Sequence, residues 1–162
     1  MVVFDLLEER LELCRRLGAD ATVNVSRMSL DVAIEAYGDG RGFDWVFETA
    51  GSSVTLKNAF YLAANKGAVS FIGTPHTDTT FTPKEWEQLN RKELHLSGSW
   101  MSYSAPFPGK EWELVAHYFS TGRLKFDDGI LDRIYPMSKA AEAFARFKDP
   151  KFVKGKIMLV NE

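Results

Sequence analysis

The chain has 162 residues and a mass of 18.3 kDa, enough for one domain with a core or a domain with a small appendage. Its 45% hydrophobic and 26% charged residues exclude a disordered or fibrous chain, and a net charge of -2 excludes the basic footprint of a nucleic-acid binder. One cysteine, Cys14, excludes an internal disulfide scaffold and a cysteine-rich zinc site.

The predicted elements come in strict alternation. Val2 to Phe4 reads as a short strand ended by Asp5, and a domain that opens directly on core-type strand predicts further sequence upstream. Leu7, Leu11, Cys14 and Leu17 then share one helix face, and Gly18 stops that helix. Ala21 to Val25 is a second strand, and Leu30, Ala33, Ile34 and Tyr37 mark a second helix. Gly38-Asp39-Gly40-Arg41-Gly42 is a turn into a third strand, Phe43 to Phe47. A helix capped by Ser52 or Ser53 follows, with Leu56, Ala59, Phe60 and Ala63 on one face and Gly67 as its close. Ala68 to Ile72 is a fourth strand. Thr82 with Glu85 and Pro83 forms a capping box that starts another helix, and Leu94 to Ser99 is a fifth strand. The alternation predicts an α/β fold with a doubly wound parallel sheet.

After Trp100 the pattern changes. Met101 to Gly109 reads as a loop with Pro106 and Pro108. Trp112, Val115, Ala116 and Phe119 mark a helix that ends near Gly122. Ile130 to Tyr135 is extended, Ser138 caps a helix with Ala141, Phe144 and Phe147 inward, and Lys156 to Val160 is a final strand. Residues 1–100 and 101–162 are expected to belong to different layers.

Few residues carry chemistry on their own. Asp5 ends a strand of a doubly wound sheet, where an acid accepts hydrogen bonds from an adenosine ribose. A carboxylate there suits NAD and repels the extra phosphate of NADP; the alternative is that Asp5 only caps the next helix. Three strand ends carry small or polar residues: Thr49-Ala50-Gly51, Ile72-Gly73-Thr74 and Gly98-Ser99. Each is ordinary turn chemistry alone, and three in register suggest a groove for a flat ring. Gly38, Gly40 and Gly42 precede a strand, so they lack the strand–glycine loop–helix order of a phosphate loop. His76, His95 and His117 do not have the spacing of a zinc motif. Cys14, Trp86, Trp100 and Trp112 read as packing residues, and Glu48 as a hydrogen-bonded strand-end carboxylate in preference to an acid or base.

These stretches resemble a family. Val2-Val3-Phe4-Asp5 with Leu17-Gly18-Ala19-Asp20 is similar to the second strand region of medium-chain zinc-type alcohol and polyol dehydrogenases. Phe43 to Gly51 resembles their fourth-strand motif, Gly67 to Gly73 their fifth and Arg91 to Trp100 their sixth. Gly98 to Ser104 with Pro108-Gly109-Lys110-Glu111-Trp112-Glu113 looks most like the galactitol-1-phosphate 5-dehydrogenases, and Pro136 to Phe144 with Gly155-Lys156-Ile157 resembles the common family ending.

The resemblance implies a Rossmann-like sheet lacking its first strand over residues 1–100, and the C-terminal segment of a catalytic domain over 101–162. It implies that Asp5 and Arg10 hold the adenosine ribose, and that Thr49, Ala50 and Gly51 line the ribose side. Ile72, Gly73 and Thr74 would meet the nicotinamide, and the Ser99-Trp100-Met101 stretch its carboxamide. Lys156 would lie near the pyrophosphate. NAD is the implied cofactor, weakened or lost without the family's glycine-rich loop, and zinc belongs to the full-length parent only. No catalytic or metal-binding residue is expected in this chain, and alone it is expected to be inactive.

A polyol or sugar phosphate is the implied substrate of the parent. Other expectations are no nucleic-acid or membrane partner and a homodimer, or higher, through the sheet edge at Leu94 to Ser99. The reducing cytosol is the compartment that cysteine usage implies. No apolar run approaches the roughly 18 residues of a membrane span, and the start lacks the basic lead of a signal peptide. A non-catalytic nucleotide-binding or dimerisation module is the alternative function. A class I methyltransferase-like fold also uses an acid after its second strand, but the sixth-strand and C-terminal matches disfavour it.

Overall fold

A helix between two strands carries the chain back to the end of the sheet where it started, so alternating strands and helices pair in parallel. The computed structural model bears this out for residues 1–100, 109–148 and 155–161, which are the residues described. In chain order they form β1 (Val2–Asp5), α1 (Glu8–Arg16), β2 (Ala21–Asn24), α2 (Leu30–Tyr37) and β3 (Phe43–Glu48). Next come α3 (Ser53–Leu62), β4 (Ala63–Phe71), α4 (Pro83–Arg91) and β5 (His95–Gly98). The last are α5 (Lys110–Ser120), β6 (Leu131–Pro136), α6 (Ala140–Phe147) and β7 (Lys156–Val160). All the pairings are parallel: β1 with β2, β4 with β3 and β5 on either side, and β6 with β7. The chain divides into two compact units, Met1–Asn24 with Lys110–Glu162, and Val25–Gly109. The predicted loop at Met101 to Gly109 lies outside the described residues except for Gly109.

In the second unit, the β3–β4–β5 register puts Val46, Val69 and Leu96 side by side. Helix α3 covers that face. Its Ala59 and Phe60 join Ala63 and Val69 in a buried cluster, with Val46, Phe71, Phe81, Leu89 and Leu94 packed around it. The Phe60 ring stacks on Phe81 at 5.4 Å and meets Phe71 edge-on at 5.9 Å and Trp86 edge-on at 6.4 Å. Burying such a ring stabilises the fold by roughly 1.5–3 kcal/mol. Ser52 with Thr55 and Thr82 with Glu85 form capping boxes at the starts of α3 and α4, and Pro83 opens α4 as expected.

Two boundaries differ from the sequence reading. Helix α3 stops at Leu62, short of Ala63, and the chain turns directly into a longer β4. The cause is Lys92, whose Nζ donates to the carbonyls of Phe60, Tyr61 and Ala63 at 3.2, 2.7 and 2.8 Å. It satisfies carbonyls that a helix end leaves without partners. Ala63 is already extended and pairs with Phe43, before a register shift carries β4 to the Trp45–Ala68 pairing. Partial burial holds the Lys92 ammonium below its ordinary pKa.

In the first unit, α1 packs on β1 and β2 with Leu11 and Val23 buried. Arg16 grips Asp127 through Nε at 3.0 Å and Nη2 at 3.2 Å, while Asp127 also accepts the Gly129 amide at 2.7 Å. That guanidinium holds the Asp127 carboxyl below its usual value. Phe144 and Phe147 do not point inward as expected: both are exposed, and Ala143 is buried in their place. The face of α6 is set by Arg146, whose Nε donates to the half-buried Asp132 of β6 at 2.7 Å. Arg146 lies one turn from Ala143, so their face turns to the sheet and Phe144 turns away. Trp112, Val115 and Phe119 of α5 are exposed as well, as is Trp100 in the second unit. Among the described residues, no helix is long and apolar enough to cross a membrane.

Candidate functional site

The C-terminal ends of parallel strands are where open α/β sheets bind ligands. In the second unit, the ends of β3 and β4 are knitted together by Glu48. Its backbone carbonyl accepts the Ile72 and Gly73 amides at 2.8 and 3.0 Å. Its side chain is 4% exposed, and Oε1 accepts the Ala50 and Gly51 amides, both at 2.9 Å. Oε2 is buried with no hydrogen-bond partner among the described residues.

The two loops cross backbone on backbone. Gly51 has a φ of +65°, and a Cβ there would lie 2.4 Å from the Thr74 carbonyl oxygen. A Cβ on Gly73 would lie 2.2 Å from the Gly51 nitrogen and 2.8 Å from Glu48 Oε2. Only glycine permits either approach. β5 is tied on by the Ser99 amide, which donates to the Phe71 carbonyl at 2.8 Å.

Beyond these ends lies a cavity of ≈ 440 Å³ lined by residues that include Ile72, Gly73, Thr74, Gly98, Ser99 and Trp100. Its lining mixes Phe71, Ile72, Pro75 and Trp100 with the smaller Gly73, Thr74, Gly98 and Ser99, and a Cβ on Gly98 would enter open space. A flat ring with a carboxamide fits such a wall. A separate cavity of ≈ 480 Å³ lies against Leu56 and the loop from Pro75 to Thr79.

The structure thus brings together Gly51, Gly73 and Thr74 in one crossing, and Ile72, Gly73, Thr74, Ser99 and Trp100 around one cavity. Thr49 and Ala50 are exposed at the end of β3 and do not line that cavity. Met101 lies outside the described residues.

In the first unit, Asp5 ends β1 and its Oδ1 accepts the Leu7 amide at 2.8 Å, bracing the turn into α1. Its Oδ2 lies 3.7 Å from Arg10 Nη1. Asp5 therefore serves the local turn and still offers a carboxylate beside a guanidinium at a strand end. Lys156 is exposed at the start of β7, and among the described residues no hydrogen bond or ion pair joins it to Asp5 or Arg10.

Glu48 was legible as a strand-end carboxylate, but not as a buried one with an idle oxygen. The signal for it is an acid three residues before a glycine, facing a second glycine at the next strand end. Among the described residues, no group of three or more His, Cys, Asp or Glu could hold a metal ion. The described residues therefore do not fit a zinc site.

The chain is similar to known proteins. A family model described as zinc-binding dehydrogenase matches residues 1–117. Galactitol 1-phosphate 5-dehydrogenase of Escherichia coli (strain K12) is 31% identical over 162 residues, covering 99% of this chain and 46% of that protein. L-threonine 3-dehydrogenase of Cutibacterium acnes is 39% identical over 148 residues, 89% of this chain and 39% of its own length.

Among solved structures, galactitol-1-phosphate dehydrogenase from Escherichia coli superposes with a TM-score of 0.88 at 29% identity, over 98% of this chain and 45% of that one. A short chain alcohol dehydrogenase from E. coli CFT073, complexed with cofactor NADH, shares the fold with a TM-score of 0.77 at 22% identity, over 98% of this chain and 44% of that one. The chain spans less than half the length of these relatives.

Proposed function

Because the chain belongs to the zinc-binding dehydrogenase family, we propose that it supplies the dinucleotide groove of an NAD-dependent oxidoreductase acting on a polyol or polyol phosphate. The observation that carries this reading is the glycine crossing of Gly51 and Gly73 beside a ring-sized cavity at the strand ends. The similarity to galactitol 1-phosphate 5-dehydrogenase over 99% of the chain favours a substrate resembling galactitol 1-phosphate.

Bound NAD supplies a hydride acceptor in its nicotinamide ring. The residues of this chain hold and orient it. Ile72, Gly73 and Thr74 present a flat backbone wall to the ring, and the Ser99-Trp100-Met101 stretch offers peptide groups to the carboxamide. Thr49, Ala50 and Gly51 serve the ribose next to the ring. In the first unit, Asp5 accepts from the adenosine ribose with Arg10 beside it, and Lys156 is assigned to the pyrophosphate. Fixing the ring converts hydride transfer into a reaction between positioned partners. Residues 1–100 are read as the dinucleotide-binding part and 101–162 as the end of the catalytic part of a cytoplasmic enzyme.

The test is calorimetric titration of the purified chain with NADH and NADPH, alongside an assay of polyol oxidation. The expected result is saturable one-site binding of NADH, weaker binding of NADPH and no polyol oxidation. Equal affinity for both would remove Asp5 from its role. Measurable NAD-dependent oxidation would overturn the inactivity of the chain alone.

A second reading rests on β5. Among the described residues it pairs only with β4, and all four of its residues are exposed. An open edge of this kind pairs with a second copy, so the chain would serve as a dimerisation module. A monomer by light scattering across micromolar concentrations would count against it.

A further inference from the structure

We propose that Glu48 makes the cavity at the ends of β4 and β5 selective for a cationic ring over a neutral one, so that oxidised nicotinamide is held more tightly than reduced. This inference rests on the assignment of that cavity to the nicotinamide, and it concerns a residue that the assignment does not use.

The first observation is a buried charge without a counter-ion. Glu48 accepts two amides through Oε1, leaves Oε2 without a partner and forms no ion pair among the described residues. Two N–H donors favour a carboxylate but do not cancel its charge. The second observation is proximity. Oε2 sits 2.8 Å from where a Gly73 Cβ would be, and Gly73 is a wall of the cavity, so one residue's backbone separates the carboxylate from whatever fills it. The third concerns the lining. None of the described residues against the cavity carries a charged side chain. Asp78, on the loop beyond Pro75, is exposed and screened by solvent. Trp100, also against the cavity, offers an exposed indole, and an indole face attracts cations. The carboxylate behind the wall is negative, and the aromatic group at the cavity favours the same sign of ligand.

NAD and NADH differ only at the nicotinamide, by one hydride and hence one positive charge on the ring. Every contact to the adenosine, the riboses and the pyrophosphate cancels in the ratio of their dissociation constants. One charge about 6 Å away, beside a cavity open to water and so at an effective dielectric of about 40 to 50, changes that ratio roughly fivefold to tenfold.

The experiment is calorimetric titration of the full chain and of Glu48→Gln with each form. Glutamine keeps an oxygen for the Ala50 and Gly51 amides and removes the charge. The expected result is a fivefold to tenfold loss in affinity for NAD relative to NADH. A ratio unchanged within twofold, with both constants moved together, would mean that Glu48 only braces the loop, and would overturn the proposal.

If neither dinucleotide binds the wild-type chain, the functional reading fails by itself. The charge preference is then measured with 1-methylnicotinamide, a cation, against neutral nicotinamide, from amide shifts of Gly73 and Thr74. Preference for the cation supports the proposal. Equal binding, or none, overturns it. This pair needs no variant, so it also decides the matter if Glu48→Gln does not fold.

Discussion

Helices α3 and α5 look alike in sequence and differ in the molecule. Both carry an apolar stripe at helical spacing: Leu56, Ala59 and Phe60 on α3, and Trp112, Val115 and Phe119 on α5. The α3 stripe is buried against the β3–β4–β5 sheet and the aromatic cluster, whereas the α5 stripe stays exposed. Periodicity tells which face is apolar. It does not tell whether this chain contains the partner for that face. The chain spans less than half the length of the relatives it matches.

Substitutions on the two helices test this difference. Phe60→Ala removes a buried ring with three aromatic neighbours and should lower stability by about 3–5 kcal/mol in denaturant melts. Phe119→Ala should change stability by less than about 0.5 kcal/mol and reduce binding of a hydrophobic dye. Comparable losses at the two sites would mean that α5 has a partner within this chain.

Lys92→Met should cost about 2 kcal/mol, because three carbonyls at the end of α3 lose a charged donor. It should also loosen the start of β4, seen as faster hydrogen exchange at Ala63 and Ala64. Unchanged exchange there would show that the strand pairing with Phe43 alone ends the helix.

The smallest effect concerns the first unit, which leans on ion pairs where the second leans on its core. The Asp127 carboxyl is held below its ordinary value, mainly by its hydrogen bond from Arg16. A carboxyl of that kind adds stability that is fully present above its unfolded pKa and disappears as pH falls through the lowered folded one. Arg16→Gln should therefore flatten the acid limb of the stability profile and leave the shape near neutral pH unaltered. Acid profiles that superimpose would remove this pair from the account.

Much of the fold was legible because the local signals agreed with one another. The strand–helix alternation, the Thr82–Glu85 capping box with Pro83, the turn at Gly38 to Gly42 and the parallel pairing all follow from short-range patterns. What escaped depends on contacts distant in sequence. The end of α3 is set by Lys92, 30 residues beyond Leu62. The inward face of α6 is set by a carboxylate on β6, where apolar spacing alone pointed to Phe144 and Phe147. Trp100 and Trp112 read as packing residues because tryptophan usually packs, and both are exposed.

The candidate site could be proposed from its residue types: small residues at three strand ends and an acid ending β1. Its floor was not, because nothing in the spacing of Glu48, Gly51 and Gly73 says that two loops cross at backbone contact. The idle Oε2 beneath that crossing is a consequence of packing, invisible to any window of sequence.

The central claim is that the strand ends of the second unit receive the nicotinamide. The most direct measurement is an amide correlation spectrum of the labelled chain titrated with NADH. The account predicts saturable shifts at Gly51, Gly73, Thr74, Ser99 and Trp100, with the amides of the exposed α5 unmoved. Shifts confined to other residues, or none at millimolar NADH, would contradict it.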